Sequence, residues 1–99
     1  MERKQPVKTK PIALDGEYAG WECTVRTNPP LKAFGDVASG NFDRIITGLA
    51  AIIKAWNFVD EEGGLLPPPS TTTISELPLD LATAVANKYV GEISTLPPA

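Results

Sequence analysis

The sequence contains no histidine among its 99 residues and has a single cysteine, Cys23. Histidine is the commonest general base and zinc ligand, so its absence excludes a Ser–His or Cys–His nucleophile pair within one chain. One cysteine cannot form an internal disulfide, which favours a reducing compartment such as the cytoplasm. Cys23 alternates with Trp21 and Val25 on one predicted strand face, so we expect an unreactive core thiol.

Long apolar runs and strong charge are also lacking. The longest apolar run, 49–53, is far too short to cross a bilayer, and the polar first ten residues do not resemble a signal peptide. The formal net charge of -3 does not favour a general nucleic-acid-binding protein, which usually carries a basic face. We therefore expect a cytoplasmic protein without a membrane partner.

The charges that are present fall into two groups. Arg3, Lys4, Lys8 and Lys10 lie within the first ten residues, and we predict a disordered basic arm over 1–8. Three consecutive acids at 60–62 precede two glycines. This stretch lacks the alternating oxygen ligands of a calcium loop and the spacing of a phosphate loop, so it predicts a solvated turn. We expect no metal and no cofactor.

The first third of the chain predicts a β-hairpin. Apolar and polar residues alternate over 19–26, as in a strand with one buried face. Asp15 and Gly16 suit a two-residue type I′ turn, which would join strands over 9–14 and 17–27. Pro11 cannot donate a ladder hydrogen bond, so the first strand is expected at a sheet edge.

Three helices are predicted after the hairpin. A short helix begins near Leu31, and a main helix spans 41–56 with Asn41 as its N-cap. Gly48 within this helix would allow close approach of another backbone. A second amphipathic helix carries apolar residues at 77, 81, 85, 89 and 93, with a capping box at Thr73 and Glu76 and a start or kink at Pro78.

These patterns predict an α+β fold, mainly helical. An N-terminal β-hairpin would be packed on two main amphipathic helices plus one short helix. We expect a single small globular domain over 9–95 and a disordered tail over 96–99. A core of this size is modest, so oligomerisation or a bound partner would add burial.

The candidate reactive groups do not form a recognisable catalytic set. Asp15, Glu17, Glu22 and Asp36 fall in a turn, on a strand and in a short helix, without a visible cluster. The aromatic residues at 21, 56 and 58 could stack on bases, but their spacing fits core positions better. The pattern therefore predicts a non-enzymatic protein. Its remaining apolar residues either close the domain's own core or form a surface that binds a partner.

Three runs of the sequence suggest a family. A tryptophan-containing segment leads into an acidic glycine turn, and a proline-bearing link leads into a leucine–proline helix start. These runs are Trp56-Asn57-Phe58-Val59-Asp60-Glu61-Glu62-Gly63, then Leu66-Pro67, then Ile74-Ser75-Glu76-Leu77-Pro78-Leu79-Asp80-Leu81. Together with the strand at 16–21, Pro29-Pro30 and Phe34, they resemble the tail assembly chaperones of long-tailed bacteriophages over roughly 12–93.

The resemblance implies a function without chemistry. Such chaperones bind the long helical tape measure protein, keep it soluble and help tail-tube subunits polymerise around it, here in the host cytoplasm. The partners implied are the tape measure protein and the tail-tube protein. For partner binding we predict Leu65, Leu66, Leu79, Val90 and Ile93. To the core we assign Phe42, Ile46, Leu49, Ile53 and Trp56.

Two other functions remain open. A structural or adaptor protein of a phage particle would stay in the finished particle at fixed stoichiometry. A small DNA-binding regulator would hold DNA through the basic arm, with strong salt dependence. Nucleic acid is the less favoured partner because the overall charge is acidic.

Overall fold

The computed structural model describes residues 6–93, and within them it has an α+β fold. The strands are β1 (Thr9–Ala13), β2 (Glu22–Arg26) and β3 (Ile53–Trp56). The helices are α1 (Leu31–Val37), α2 (Phe42–Ile52), α3 (Thr71–Ser75) and α4 (Leu79–Ile93). A 3-10 turn, Gly16–Tyr18, lies between β1 and β2.

One antiparallel sheet carries the strands in the order β1-β2-β3. Ile12 of β1 lies opposite Cys23 of β2, which lies opposite Trp56 of β3. Pro11 is therefore in an edge strand, as predicted. The register of β2 with β3 shifts between Thr24 and Val25, and this bulge leaves both Lys54 and Ala55 exposed.

The connection between β1 and β2 is longer than predicted. The predicted two-residue turn at Asp15 and Gly16 is wrong. A type I′ turn needs positive φ at both residues, but Asp15 has an extended backbone (φ -117°) and Gly16 alone of the two has positive φ. The strands close instead where the Leu14 amide donates to the Trp21 carbonyl at 2.9 Å. Tyr18 packs edge-on against Trp21 at 5.1 Å between ring centroids. This aromatic contact and the backbone hydrogen bonds within the loop stabilise it.

The main helix is shorter than predicted. α2 begins after Asn41, whose side chain accepts the Arg44 amide at 3.1 Å, so the predicted N-cap is confirmed. It ends at Ile52, and the predicted continuation to 56 is wrong. Ile53 turns extended (φ -77°, ψ 124°) and begins β3. The free edge of β2 provides backbone partners for this segment, and burial of Ile53 favours the pairing.

The predicted acidic turn at 60–64 is exposed and internally hydrogen bonded. The Asp60 carboxylate accepts the amides of Glu62 and Gly64, both at 2.9 Å. Val59 and Leu65 form an isolated antiparallel bridge across the turn. The chain then returns past Trp56, whose indole N–H donates to the Pro67 carbonyl at 3.0 Å. Asp60 is thus a structural residue that fixes the turn.

The last two helices divide at Pro78. The predicted capping box at Thr73 and Glu76 is wrong, because Ser70 caps α3 by accepting the Thr73 amide at 3.1 Å. α4 starts one residue after Pro78, which lacks an amide donor and disfavours helix in the residue before it. The buried residues of α4 are Leu81, Val85, Ala86 and Tyr89, and they match the predicted stripe.

One apolar cluster joins the sheet and the helices. Its fully buried members include Val25, Leu49, Ile52, Phe58, Val85 and Tyr89. Among the residues assigned to the core from sequence, Leu49 and Ile53 are buried, while Ile46 and Trp56 are half-buried. Phe42 was assigned wrongly, since its exposed fraction is 63%. It lies in the first turn of α2, beyond the part of the helix that the core covers.

The close approach predicted at Gly48 is present between α1 and α2. A methyl group at Gly48 would lie 2.7 Å from Val37 Cγ2 and 2.9 Å from the Ala33 carbonyl oxygen. Across the same contact, Arg44 Nε donates to the buried Asp36 Oδ1 at 3.0 Å. The two helices approach closely because Gly48 has no side chain, and the ion pair between Arg44 and Asp36 links them.

Two predicted terminal segments lie mostly outside the described residues. Of the basic arm predicted over 1–8, only residues 6–8 are described, and the Thr27 amide donates to the Lys8 carbonyl at 2.7 Å. The tail predicted over 96–99 is not among the described residues.

Within 6–93, none of the helices combines the length and apolar character that a bilayer crossing requires.

Candidate functional site

An apolar groove, here called the helix groove, runs between α2 and α4. It has a volume of about 580 Å³, and the described residues that line it are all uncharged. Two of its large apolar side chains are strongly exposed, namely Phe42 at 63% and Leu79 at 65%. The other apolar side chains that line it are Val37, Ala38, Ile45, Ile46, Leu49, Ile74, Leu77, Ala82, Ala86 and Val90.

The groove exists because α2 is covered at only one end. Leu49 and Ile52 in its C-terminal half are fully buried, whereas Ile45 and Ile46 are half-buried and Phe42 is exposed. On the opposite wall of the groove, α4 contributes the small side chains of the alanines at 82 and 86. Small side chains on one wall and large ones on the other leave a shallow channel with an apolar floor.

A second groove, here called the acidic groove, lies on the other side of the 73–78 segment. It has a volume of about 650 Å³, with an apolar floor that includes Trp21, Leu66 and Leu77. Asp60, Glu61, Glu62 and Glu76 also line it. Leu77 lines both grooves, so the link between α3 and α4 separates two surfaces of different character.

The residues predicted for partner binding are divided among three locations. Leu79 and Val90 line the helix groove, and Leu66 lines the acidic groove. Leu65 directly follows the acidic turn at 60–64, is 74% exposed and lines neither groove. Ile93 is half-buried against the core and also lines neither. The five residues do not form one surface.

Sequence reasoning missed the α2 side of the helix groove. Phe42 and Ile46 were assigned to the core because they continue the apolar stripe of α2. The missed signal was the position of Phe42 directly after the N-cap. A large apolar side chain in the first turn of a helix has fewer helical neighbours to pack against.

The potentially reactive side chains have other roles. Cys23 is 1% exposed, and burial raises the pKa of its thiol to about 11, so the reactive thiolate is disfavoured. The hydrogen bond from Arg44 holds the pKa of the Asp36 carboxyl below its usual value. Among residues 6–93 there is no group of three or more acidic, cysteine or histidine side chains placed to hold a metal ion.

The aromatic side chains form a packed cluster. Phe58 is fully buried, with Trp56 stacked on it at 4.8 Å and Trp21 tilted against it at 5.5 Å between ring centroids. Their contacts with one another match the predicted core role.

Of the basic residues near the chain start, Lys10 pairs with Glu92 at 3.0 Å, which links β1 to α4.

Comparison with known protein families, with curated proteins and with solved structures gave no match to this chain. The grooves and the sequence patterns are therefore the basis for a functional proposal.

Proposed function

We propose that this protein is a phage tail assembly chaperone, which binds the apolar stripe of a helical tape measure protein in its helix groove and assists tail-tube assembly without catalysing a reaction. The observation that carries the proposal is the uncharged groove between α2 and α4, which is lined by the solvent-exposed side chains of Phe42 and Leu79. The resemblance in sequence to tail assembly chaperones supplies the identity of the partner.

The shape of the groove suits an amphipathic helix. Recognition of this kind needs an apolar channel into which side chains at spacings of three and four residues can insert. The lining residues of the helix groove offer such a channel. Burial of Phe42 and Leu79 on binding would contribute favourable free energy through removal of apolar surface from water.

A shallow groove also suits reversible binding. A chaperone must release its partner when the tail tube polymerises, so many weak contacts along an extended chain serve better than one tight site. Several copies of this small protein could cover successive apolar stretches of one long tape measure protein.

Co-expression with the tape measure protein of the same genome tests the proposal. We expect the wild-type chain to raise the soluble fraction of that protein and to co-purify with it. The double variant Phe42→Ser/Leu79→Ser should lose most of this effect. Leu31→Ser is the matched control, because Leu31 is 87% exposed and lies outside the groove.

Two results would overturn the proposal. One is equal solubilisation by the double variant and by wild type, which would remove the helix groove from the interaction. The other is stoichiometric presence of the protein in purified mature particles, measured by mass spectrometry, which would indicate a structural or adaptor protein.

A further inference from the structure

The acidic groove differs from the helix groove in its charge. Glu61, Glu62 and Glu76 line it beside the apolar side chains, and the described residues that line it include no lysine or arginine. The lining of the helix groove is uncharged. The same small domain thus presents two apolar channels, of which one is edged with negative charge.

The three glutamates are available to a partner. All three are exposed, and within the described part of the chain none of them takes part in an ion pair. Some other acids are already paired, since Asp36 contacts Lys32 and Arg44, and Glu92 contacts Lys10. Unpaired carboxylates beside an apolar floor favour a partner that carries positive charge.

The turn that carries two of these glutamates has a defined shape. The Asp60 carboxylate accepts two backbone amides of the turn, and the Asp60 amide donates to the Gly64 carbonyl at 2.8 Å. Glu61 and Glu62 are therefore presented from an ordered backbone, which lowers the entropy cost of engaging them.

The chemistry of the occupant follows from these features. The carboxylates do not converge in a metal-binding group within 6–93, and a phosphate-bearing ligand would be repelled. The floor of Trp21, Leu66 and Leu77 needs apolar side chains to cover it. We propose that the acidic groove binds a basic amphipathic segment of a partner protein, with its apolar residues on this floor and lysines or arginines beside Glu61, Glu62 and Glu76. This proposal is independent of the helix groove.

A pair of synthetic peptides provides the test. One is a fluorescently labelled amphipathic helix with a leucine stripe flanked by lysines, and the other has glutamates in place of the lysines. Binding to the full chain is measured by fluorescence anisotropy at low salt. We expect the lysine peptide to bind at least about tenfold more tightly than the glutamate peptide, and the difference to shrink at high salt.

Variants locate the site. Glu61→Gln/Glu62→Gln/Glu76→Gln should weaken binding of the lysine peptide about tenfold, as expected for loss of three exposed charge pairs. Glu17→Gln/Glu22→Gln/Asp43→Asn is the control, because it changes the net charge equally at exposed acids outside the groove. We expect the control to change the affinity less than twofold. Circular dichroism checks that both triple variants remain folded.

Three outcomes would overturn the inference. They are equal affinity for the two peptides, equal weakening by the two triple variants, and weakening by Phe42→Ser as large as that by the groove variant. The last result would place the peptide in the helix groove. Conversely, loss of tape measure solubilisation in Phe42→Ser/Leu79→Ser with unchanged peptide binding would show that the two grooves act separately.

Discussion

The two sides of α2 differ in how closely their neighbours approach. On the α1 side, Gly48 leaves no room for even a methyl group, and Asp36 is buried at the contact. On the α4 side, a groove of about 580 Å³ separates the helices, and Phe42 is mostly exposed. Residue size explains the close side, because glycine lets two helix backbones approach, whereas on the other side α4 does not cover the first turn of α2. The closed side contributes to stability, and the open side leaves apolar surface uncovered.

The largest effect should come from filling the closed side. Gly48→Ala places a methyl group against a backbone carbonyl that cannot rotate away. Alanine favours a helix over glycine by up to about 1 kcal/mol, but the steric clash outweighs this gain. We therefore expect a net decrease of about 1–2 kcal/mol in the free energy of unfolding, measured by urea denaturation. Gly91→Ala in α4 is the control, because nothing lies within 4 Å of the added methyl group. A stabilised Gly48→Ala would contradict the tight contact.

Removal of a buried hydrogen bond should cost nearly as much. Tyr89 is fully buried on α4, and its hydroxyl donates to the Arg26 carbonyl at 2.8 Å. We expect Tyr89→Phe to lower the free energy of unfolding by about 1–2 kcal/mol. Tyr18→Phe, which removes an exposed hydrogen bond to Asp80, should cost less. An equal cost for both variants would show that burial of the Tyr89 hydroxyl adds nothing.

The same tyrosine predicts a loss of stability in alkali. Burial raises the pKa of Tyr89 from 10.0 to about 12. Because the folded-state pKa lies above the unfolded value, the contribution to stability is complete below pH 10 and is lost as the pH rises through about 12. We expect the difference in unfolding free energy between wild type and Tyr89→Phe to narrow across this range.

A smaller effect should come from the ion pair on the closed side. The hydrogen bond from Arg44 is the main cause that lowers the pKa of the Asp36 carboxyl below its usual value. The folded-state pKa is depressed, so this stability is present above the unfolded pKa and is lost as the pH falls through the folded value. Asp36→Asn should therefore destabilise the protein at pH 7 and less so in acid. Asp43→Asn is the control, and an effect of Asp36→Asn that did not vary with pH would contradict the ion pair.

The smallest effect on stability should come from the open side. Phe42→Ser removes a largely exposed side chain and places a hydroxyl in the first turn of α2. We expect the free energy of unfolding to change by no more than about 0.5 kcal/mol, as for other surface substitutions. A loss as large as that of Gly48→Ala would show that Phe42 belongs to the core, as the sequence alone predicted.

Local features of the fold were predictable from the sequence because they depend on the backbone properties of single residues. Asn41 caps α2, Pro11 lies at a sheet edge and Gly48 permits close approach. The strand β3 was not predictable in this way. Ile53 and Trp56 fit a helical stripe as well as a strand, and the free edge of β2, distant in sequence, decided between them.

The candidate site was only partly predictable for a related reason. Periodicity indicates which face of a helix is apolar, but not which neighbour covers it. Leu79 and Val90, which were predicted for partner binding, line the helix groove, whereas Phe42 was assigned to the wrong environment. The acidic groove joins residues from 21 to 78, and only its acidic run at 60–62 is visible as a local pattern in the sequence.

The most direct test of the open side is a nuclear magnetic resonance titration of the full chain with an amphipathic helical peptide from the tape measure protein of the same genome. We predict that amide shifts concentrate at Phe42, Ile45, Leu79 and Val90, while those at Gly48 and α1 stay small. Shifts confined to other surfaces, or no shifts at millimolar peptide, would contradict a binding role for the helix groove.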